Sequence, residues 1–299
     1  MPVTPEIMEQ REREKRTEKI TDDQGNILCE IDILPETGDI IAIRPTRYVN
    51  PDQKAEQPDE YICLTNEEGN ITNERATRAE ARQDEKRYMV VTTMLMHNDE
   101  MLVQKRSPGK KIDPEKVGSS AHGVAKEIFG ADRERITDGR TAAIINAALE
   151  MNEELRHDAE PFTVRLWPGL THHIYDYADR QKLNDPNTVW LVPETFLPES
   201  SYPLGRRGDE HQRTRALFSA YIFSVEKPPI SFDPGEVTDC EWKNLTEVMT
   251  DPKATVDLPR GNVEVLEGIL KHSPLVQKYG AKASINLINK LRGIAKERP

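Results

Sequence analysis

One segment restricts the fold more than any other, a helix predicted over about residues 141 to 156. Its apolar residues fall on one side, and that side must pack against a core: Ala142, Ala143, Ile144, Ala147, Ala148, Met151 and Leu155. Glu150, Glu153 and Glu154 fall together on the other side, because positions i, i+3 and i+4 share a helical face. Three like charges at this spacing repel one another. The acidic side therefore faces either open solvent or a cleft that holds a cation.

The apolar runs elsewhere in the chain predict strands. The strongest, residues 216 to 225, is apolar on both faces and suits a central strand covered on both sides. Residues 27 to 44 predict a hairpin around a Pro and Gly turn, and two further strands flank a short loop at residues 97 to 100. Shorter strands are expected at residues 61–64, 162–167, 189–192 and 240–242, and terminal helices at 263–270 and 284–295. This pattern indicates an α+β fold, a mixed sheet flanked by helices.

Composition excludes several classes of protein. A chain of 299 residues with 36% hydrophobic content can bury a full core. A net charge of −11 argues against nonspecific nucleic-acid binding, which needs clustered lysine and arginine. No run of 18 apolar residues and no apolar leader occur, so a soluble, cytoplasmic protein with no membrane contact is expected. Cys29, Cys63 and Cys240 are too few and too scattered for a zinc or redox motif and are expected to be reduced.

Four segments in order resemble the Nudix hydrolase superfamily, and within it most the isopentenyl-diphosphate isomerase-like branch. They are I-T-N-E-R-A-T-R-A-E-A from Ile71, the hairpin M-V-V-T-T-M-L-M-H-N-D-E-M-L-V-Q-K-R-S from Met89, G-S-S-A-H-G-V-A-K-E ending at Glu127, and A-A-L-E-M-N-E-E-L. A later segment from Phe232 looks like the family's final strand and helix entry. The resemblance implies a Nudix-type α/β/α sandwich over residues 60–254. A β-rich extension would precede it at 1–59, and a helical extension would follow at 255–299.

The Nudix box is degenerate in this chain. Ala121 stands where the first Gly is expected, Leu149 replaces the Arg, and Arg156 replaces the final Gly. Between Glu127 and Leu149 lie 21 residues where the family motif has seven, so residues 128–140 are expected to form an inserted surface excursion.

The resemblance implies a metal-dependent pyrophosphohydrolase that cleaves a nucleoside diphosphate linked to another moiety. Mg²⁺ or Mn²⁺ would be the cofactor, because carboxylates are the hard oxygen ligands these ions prefer. Glu153 and Glu154 would be ligands, and Glu150 a ligand or the base. The resemblance further implies Glu210 as an additional ligand or base. Substrate contacts are expected from Lys105, Arg106 and Glu127.

Other functions stay open at this point. A ligand-binding or sensor module could recognise a nucleotide or diphosphate on the altered box without turnover, and the terminal extensions would suit a homodimer. A structural interaction protein would use the glutamates only as a solvated face. Isoprenoid-diphosphate isomerisation is the least expected, because Ser120 and Gln212 stand where isomerase relatives place Cys and Glu.

Overall fold

The order of helices and strands follows the apolar runs of the sequence. The computed structural model describes residues 5–46, 60–67, 69–98, 100–109, 115, 117–166, 185–191, 197–204 and 213–244. The helices are α1 (Pro5–Glu14), α2 (Arg78–Gln83) and α3 (Gly139–Leu155). The strands are β1 (Arg16–Thr21), β2 (Ile27–Ile33), β3 (Ile40–Pro45), β4 (Tyr88–His97), β5 (Glu100–Arg106), β6 (Val117–Gly118), β7 (Ala121–Val124), β8 (Thr163–Leu166), β9 (Thr188–Leu191), β10 (Leu197–Leu204), β11 (Arg213–Phe223) and β12 (Val237–Asn244).

All of these strands belong to one mixed sheet. Its main path runs β1-β2-β3-β8-β9-β11-β4-β5-β12, with β10 on β11, β6 on β5 and β7 on β4. Strand β11 pairs parallel to β4 from Arg215↔Tyr88 to Phe223↔Met96, and β8 pairs parallel to β9, while the other pairings are antiparallel. The expected α+β class with a mixed sheet is confirmed, and the strand predicted from residues 216 to 225 is central. The predicted terminal helices fall outside the described residues.

Helix α3 packs its apolar side on the sheet, as its periodicity predicts. Asp138 caps its N-terminus by accepting a 2.7 Å hydrogen bond from the amide of Thr141. The helix contacts β3, β4, β7 and β11, and its alanines are fully buried. Small side chains let the helix axis approach the strands closely. Functional groups at its C-terminal end are therefore held against β5 and β7.

The N-terminal hairpin joins the same sheet. Strand β3 pairs with β8 through Ala42↔Arg165 and Ile43↔Val164, and Ile20, Ile31 and Ile43 belong to the core that also contains α3. The sheet therefore contains strands from both sides of the boundary proposed between residues 59 and 60. Strand β1 belongs to this sheet through Ile20, which is buried opposite Cys29 of β2.

A buried carboxylate locks the N-terminal strands together. Asp32 on β2 is 1% exposed and accepts two 2.6 Å hydrogen bonds from Arg44 on β3. Lys15 and Thr17 add bonds of 2.8 and 2.7 Å. Burial alone would raise the pKa of Asp32, but these donors outweigh it and hold the pKa well below its usual range.

The segment expected to be a surface excursion is exposed over much of its length. Residues 131–134, Thr137, Asp138 and Arg140 are exposed, in agreement with the prediction. The base of the segment is tied into the domain instead, because Ile128 is fully buried and the amide of Phe129 donates to the carbonyl of Thr21 at 2.9 Å. Arg135 donates to the carbonyl of Thr72. Before this segment, residues 121–124 form β7 as a strand on β4.

None of the helices in the described part of the chain is long and apolar enough to span a membrane. The three cysteines are free, as expected, with Cys29 and Cys63 buried and Cys240 partly exposed.

Candidate active site

Glu150 and Glu154 of α3 face the strands β5 and β7, whereas Glu153 pairs with Lys126 and is partly exposed to solvent. Glu154 is 6% exposed, Glu150 is partly buried, and the Glu153 side chain is 31% exposed. The helical spacing that places these groups on one face follows directly from the sequence. Their burial requires the strands that cover them.

Glu154 is held by two donors from the sheet. Gln104 on β5 donates from Nε2 to Glu154 Oε2 at 2.9 Å, and the backbone amide of His122 on β7 donates to the same oxygen at 3.2 Å. Two donors from different strands fix the orientation of the Glu154 carboxylate.

Glu150 fits against β7 only because residue 123 is a glycine. A Cβ added to Gly123 would lie 1.9 Å from Glu150 Oε1 and 2.0 Å from its Cδ, so any side chain there would occupy the space of the carboxylate. Burial raises the pKa of Glu150 well above its usual range, and the charges of Glu154 and Glu153 raise it further. Glu150 and Glu154 are thus crowded carboxylates that a bound cation would stabilise.

Lys126 meets the third glutamate. Its Nζ lies 2.9 Å from Glu153 Oε1 and 3.3 Å from Glu60 Oε1. Burial alone would lower the pKa of Lys126, but Glu153, Glu60 and Glu150 outweigh it and the pKa is raised. The ammonium is therefore charged, and it neutralises part of the acidic cluster.

Asn146 fixes the position of Lys126. Its Oδ1 accepts from the Lys126 amide at 2.8 Å, and its Nδ2 donates to the Lys126 carbonyl at 3.1 Å. Asn146 lies one turn before Glu150 on α3, and it is 4% exposed. The helix thereby positions both the carboxylates and the lysine that pairs with them.

Glu127 and Lys105 are two of the residues predicted to contact the substrate. Glu127 is 3% exposed and forms ion pairs with Arg75 at 2.7 Å and Arg135 at 2.9 Å, so its role in this structure is to hold those two arginines. Lys105 follows Gln104 on β5, and successive strand residues point to opposite faces. Because Gln104 faces Glu154, Lys105 projects to the other face, which does not fit a contact at the carboxylates.

Arg106 and Glu210 are the other two predicted site residues. Arg106 lies two positions after Gln104, on the same face of β5, and is partly exposed. Glu210 lies outside the described residues.

Ionisable residues alone do not complete a metal site in the part of the chain that the structure describes. No group of three or more His, Cys, Asp or Glu side chains is arranged there to hold an ion. A further oxygen is present, however, because Gln104 Oε1 is buried beside Glu154 without a hydrogen-bond partner. Carboxylate and amide oxygens are suitable donors for Mg²⁺ or Mn²⁺. The chemistry of the donors fits such an ion once the amide is counted.

Sequence reasoning missed Gln104, Gly123, Lys126 and Asn146. Gln104 stands within the quoted segment V-Q-K-R-S, but only the pairing of β5 with β6 and β12 shows which of its residues faces α3. Asn146 carried a usable signal, because it shares a helical face with Glu150 and Glu153, one and two turns before them.

The fold and the carboxylates on α3 define a mixed-sheet α+β domain with an acidic site on its buried helix. No protein-family model and no curated protein matches the sequence. Distant similarity exists among solved structures. DR0079 from Deinococcus radiodurans is 17% identical over 69% of this chain and 96% of its own, with a TM-score of 0.37.

Two further solved structures are similar at the same distant level. A Nudix-family hydrolase from Clostridium perfringens is 14% identical over 56% of this chain and 87% of its own, with a TM-score of 0.28. A bifunctional NMN adenylyltransferase/ADP-ribose pyrophosphatase from Francisella tularensis, complexed with AMP and a manganese ion, is 14% identical over 65% of this chain and 42% of its own, with a TM-score of 0.26.

Proposed function

We propose that this chain is a metal-dependent pyrophosphohydrolase that cleaves a nucleoside diphosphate linked to another moiety. The observation that carries the proposal is the position of Glu150, partly buried against Gly123 of β7 and beside the buried Glu154 on α3. Two like charges held close together in a partly buried site are costly unless a cation binds between them. The order of motifs that resembles the Nudix superfamily supports the same chemistry.

Different residues of the site would have different roles in this reaction. Glu154, oriented by Gln104 and the His122 amide, and Glu150, seated against Gly123, would hold the cation. A bound Mg²⁺ or Mn²⁺ supplies charge stabilisation for the diphosphate and lowers the pKa of an attacking water.

Glu153 and Lys126 would act beside the cation. Because their ion pair is partly exposed, it can open when an anion arrives. Glu153 would then join the cation or accept the proton of the water, and the ammonium of Lys126 would meet a phosphate oxygen. Glu210 remains proposed as a further ligand or base, and Arg106 as a phosphate contact.

The test is hydrolysis of a panel of nucleoside-diphosphate-linked compounds with Mg²⁺ or Mn²⁺, with products identified by mass. The wild-type chain should release a mononucleotide or phosphate, and Glu153→Gln with Glu154→Gln should lower kcat by orders of magnitude. Glu134→Gln is the matched control, because Glu134 is an exposed carboxylate on the excursion. Ligand binding without product from any compound would contradict hydrolysis and favour a sensor. The sensor alternative is supported by the ion pair between Lys126 and Glu153 in this structure.

A further inference from the structure

Gln104 is buried in the sheet with only half of its amide group satisfied. The residue is 2% exposed, and its Nε2 donates to Glu154 Oε2 at 2.9 Å. Its Oε1 is inaccessible to solvent and accepts no hydrogen bond. A buried carbonyl oxygen without a donor is unfavourable, because it has lost its hydrogen bonds to water. Such an oxygen in a paired strand is expected to have a partner, either a hydrogen-bond donor or a cation.

The missing partner must lie beside Glu154. Oε1 and Nε2 are bonded to the same carbon, so the unpaired oxygen lies within one amide group of the carboxylate. The strand cannot move it away, because β5 is paired on both sides at this residue, with Gly118 of β6 and Cys240 of β12. The Gln104 amide oxygen and the Glu154 carboxylate are therefore held in the same part of the site. A divalent cation satisfies both.

We propose that Gln104 Oε1 is a neutral oxygen ligand of the divalent cation, together with Glu154 and Glu150. This assignment rests on the proposed function and adds to it a ligand outside the acidic helix. Amide oxygens are accepted by Mg²⁺, Mn²⁺ and Ca²⁺ alongside carboxylates. An amide ligand also explains why no group of three ionisable side chains among the described residues is arranged to hold an ion. The third donor is not ionisable.

The nitrogen and the oxygen of the Gln104 amide then have separate roles. The nitrogen orients Glu154, and the oxygen binds the ion. Gln104→Met removes both ends at similar volume, whereas Gln104→Glu keeps an oxygen at the position and removes the donor. The pair of variants separates ligation from orientation. Thr65→Val is the matched control, because Thr65 is also buried, at 5% exposure, with an Oγ1 that accepts no bond.

The experiment measures binding of Mn²⁺ alone to the full chain, by titration calorimetry and by the electron paramagnetic resonance signal of free Mn²⁺. Gln104→Met should weaken the affinity about tenfold or more, the usual effect of losing a metal-site contact. Gln104→Glu should bind at least as tightly as the wild type, and Thr65→Val should match it. Circular dichroism checks that each variant is folded.

Each outcome decides the assignment. Wild-type affinity in Gln104→Met overturns the ligand role, while loss of binding in Glu154→Gln in the same series would leave the proposed function standing. Equal weakening in Gln104→Met and Gln104→Glu also overturns it, because the nitrogen would then be the part that matters. If Gln104→Met does not fold, the affinity of Gln104→Glu alone decides. No Mn²⁺ binding by the wild type would overturn both the ligand and the metal-dependent function.

Discussion

Replacing Gly123 by alanine should separate the function of the site from the stability of the fold. The new Cβ would lie 1.9 Å from Glu150 Oε1, and ordinary contact begins at 3.4 Å. The carboxylate must therefore shift by about 1.5 Å, and a misplacement of about 1 Å in a catalytic group typically costs about 100-fold in rate. Metal binding should weaken as well, because Glu150 leaves Glu154.

The effect of this substitution on folding should be small. The backbone of Gly123 does not adopt the left-handed region, so alanine fits it without backbone strain. Removing a glycine from the unfolded chain contributes about 0.4–1 kcal/mol of stability. The clash falls on the end of a flexible side chain, and moving Glu150 out also relieves its repulsion with Glu154. The free energy of unfolding should stay within about 1 kcal/mol of the wild type.

The assay pairs urea unfolding with Mn²⁺ titration and hydrolysis. Gly118→Ala is the matched control, since a Cβ at Gly118 meets nothing within 4 Å. In a Glu150→Gln background, Gly123→Ala should add little to the functional loss, because both changes act on one group. Wild-type metal affinity and rate in Gly123→Ala would refute the placement of Glu150 in the site.

Three other perturbations test the scaffold. Asp32→Asn should cost about 2 kcal/mol at neutral pH, because Arg44 and Lys15 lose a charged acceptor while remaining about one-third exposed to solvent. Because the folded pKa of Asp32 is lowered, its contribution is present above the unfolded pKa of about 3.9 and is lost as the pH falls, so the difference in urea midpoint should shrink between about pH 5 and 2. Ser120→Ala should leave kcat unchanged yet lower stability by about 1–2 kcal/mol, since the fully buried hydroxyl bonds Leu102 and Leu95, and equal urea midpoints would contradict this. Shortening residues 131–134 to a tight turn should preserve cooperative thermal unfolding, whereas a deletion that includes Arg135 should not.

Elements with strong periodicity were predictable from the sequence. The helix expected over residues 141 to 156 is observed as Gly139–Leu155, and the hairpin expected over 27 to 44 is observed as β2 and β3. Strand β7 was not predictable in the same way. Its residues Ala121–Val124 have no clear alternation, and they become a strand because β4 offers a partner edge.

The candidate site shows the same division between local and nonlocal signals. The glutamates share a face by helical geometry alone, so their grouping was visible in the sequence. The face of a strand depends on register, and one residue of difference inverts it. Lys105 was proposed as a substrate contact, and its neighbour Gln104 is the residue of β5 that bonds Glu154. Gly123 was not predicted as a site residue, because the conflict between a side chain at position 123 and Glu150 arises only in the folded structure.

The parallel pairing of β11 with β4 has a consequence for biosynthesis. Its partners, such as Arg215 and Tyr88, are more than a hundred residues apart in the chain, so this contact forms late and at a high cost in loop closure. A nascent chain that has emerged only as far as α3 presents the long, apolar β4 without that neighbour. Such an edge is prone to association with other chains, and chaperone protection would matter most during this interval.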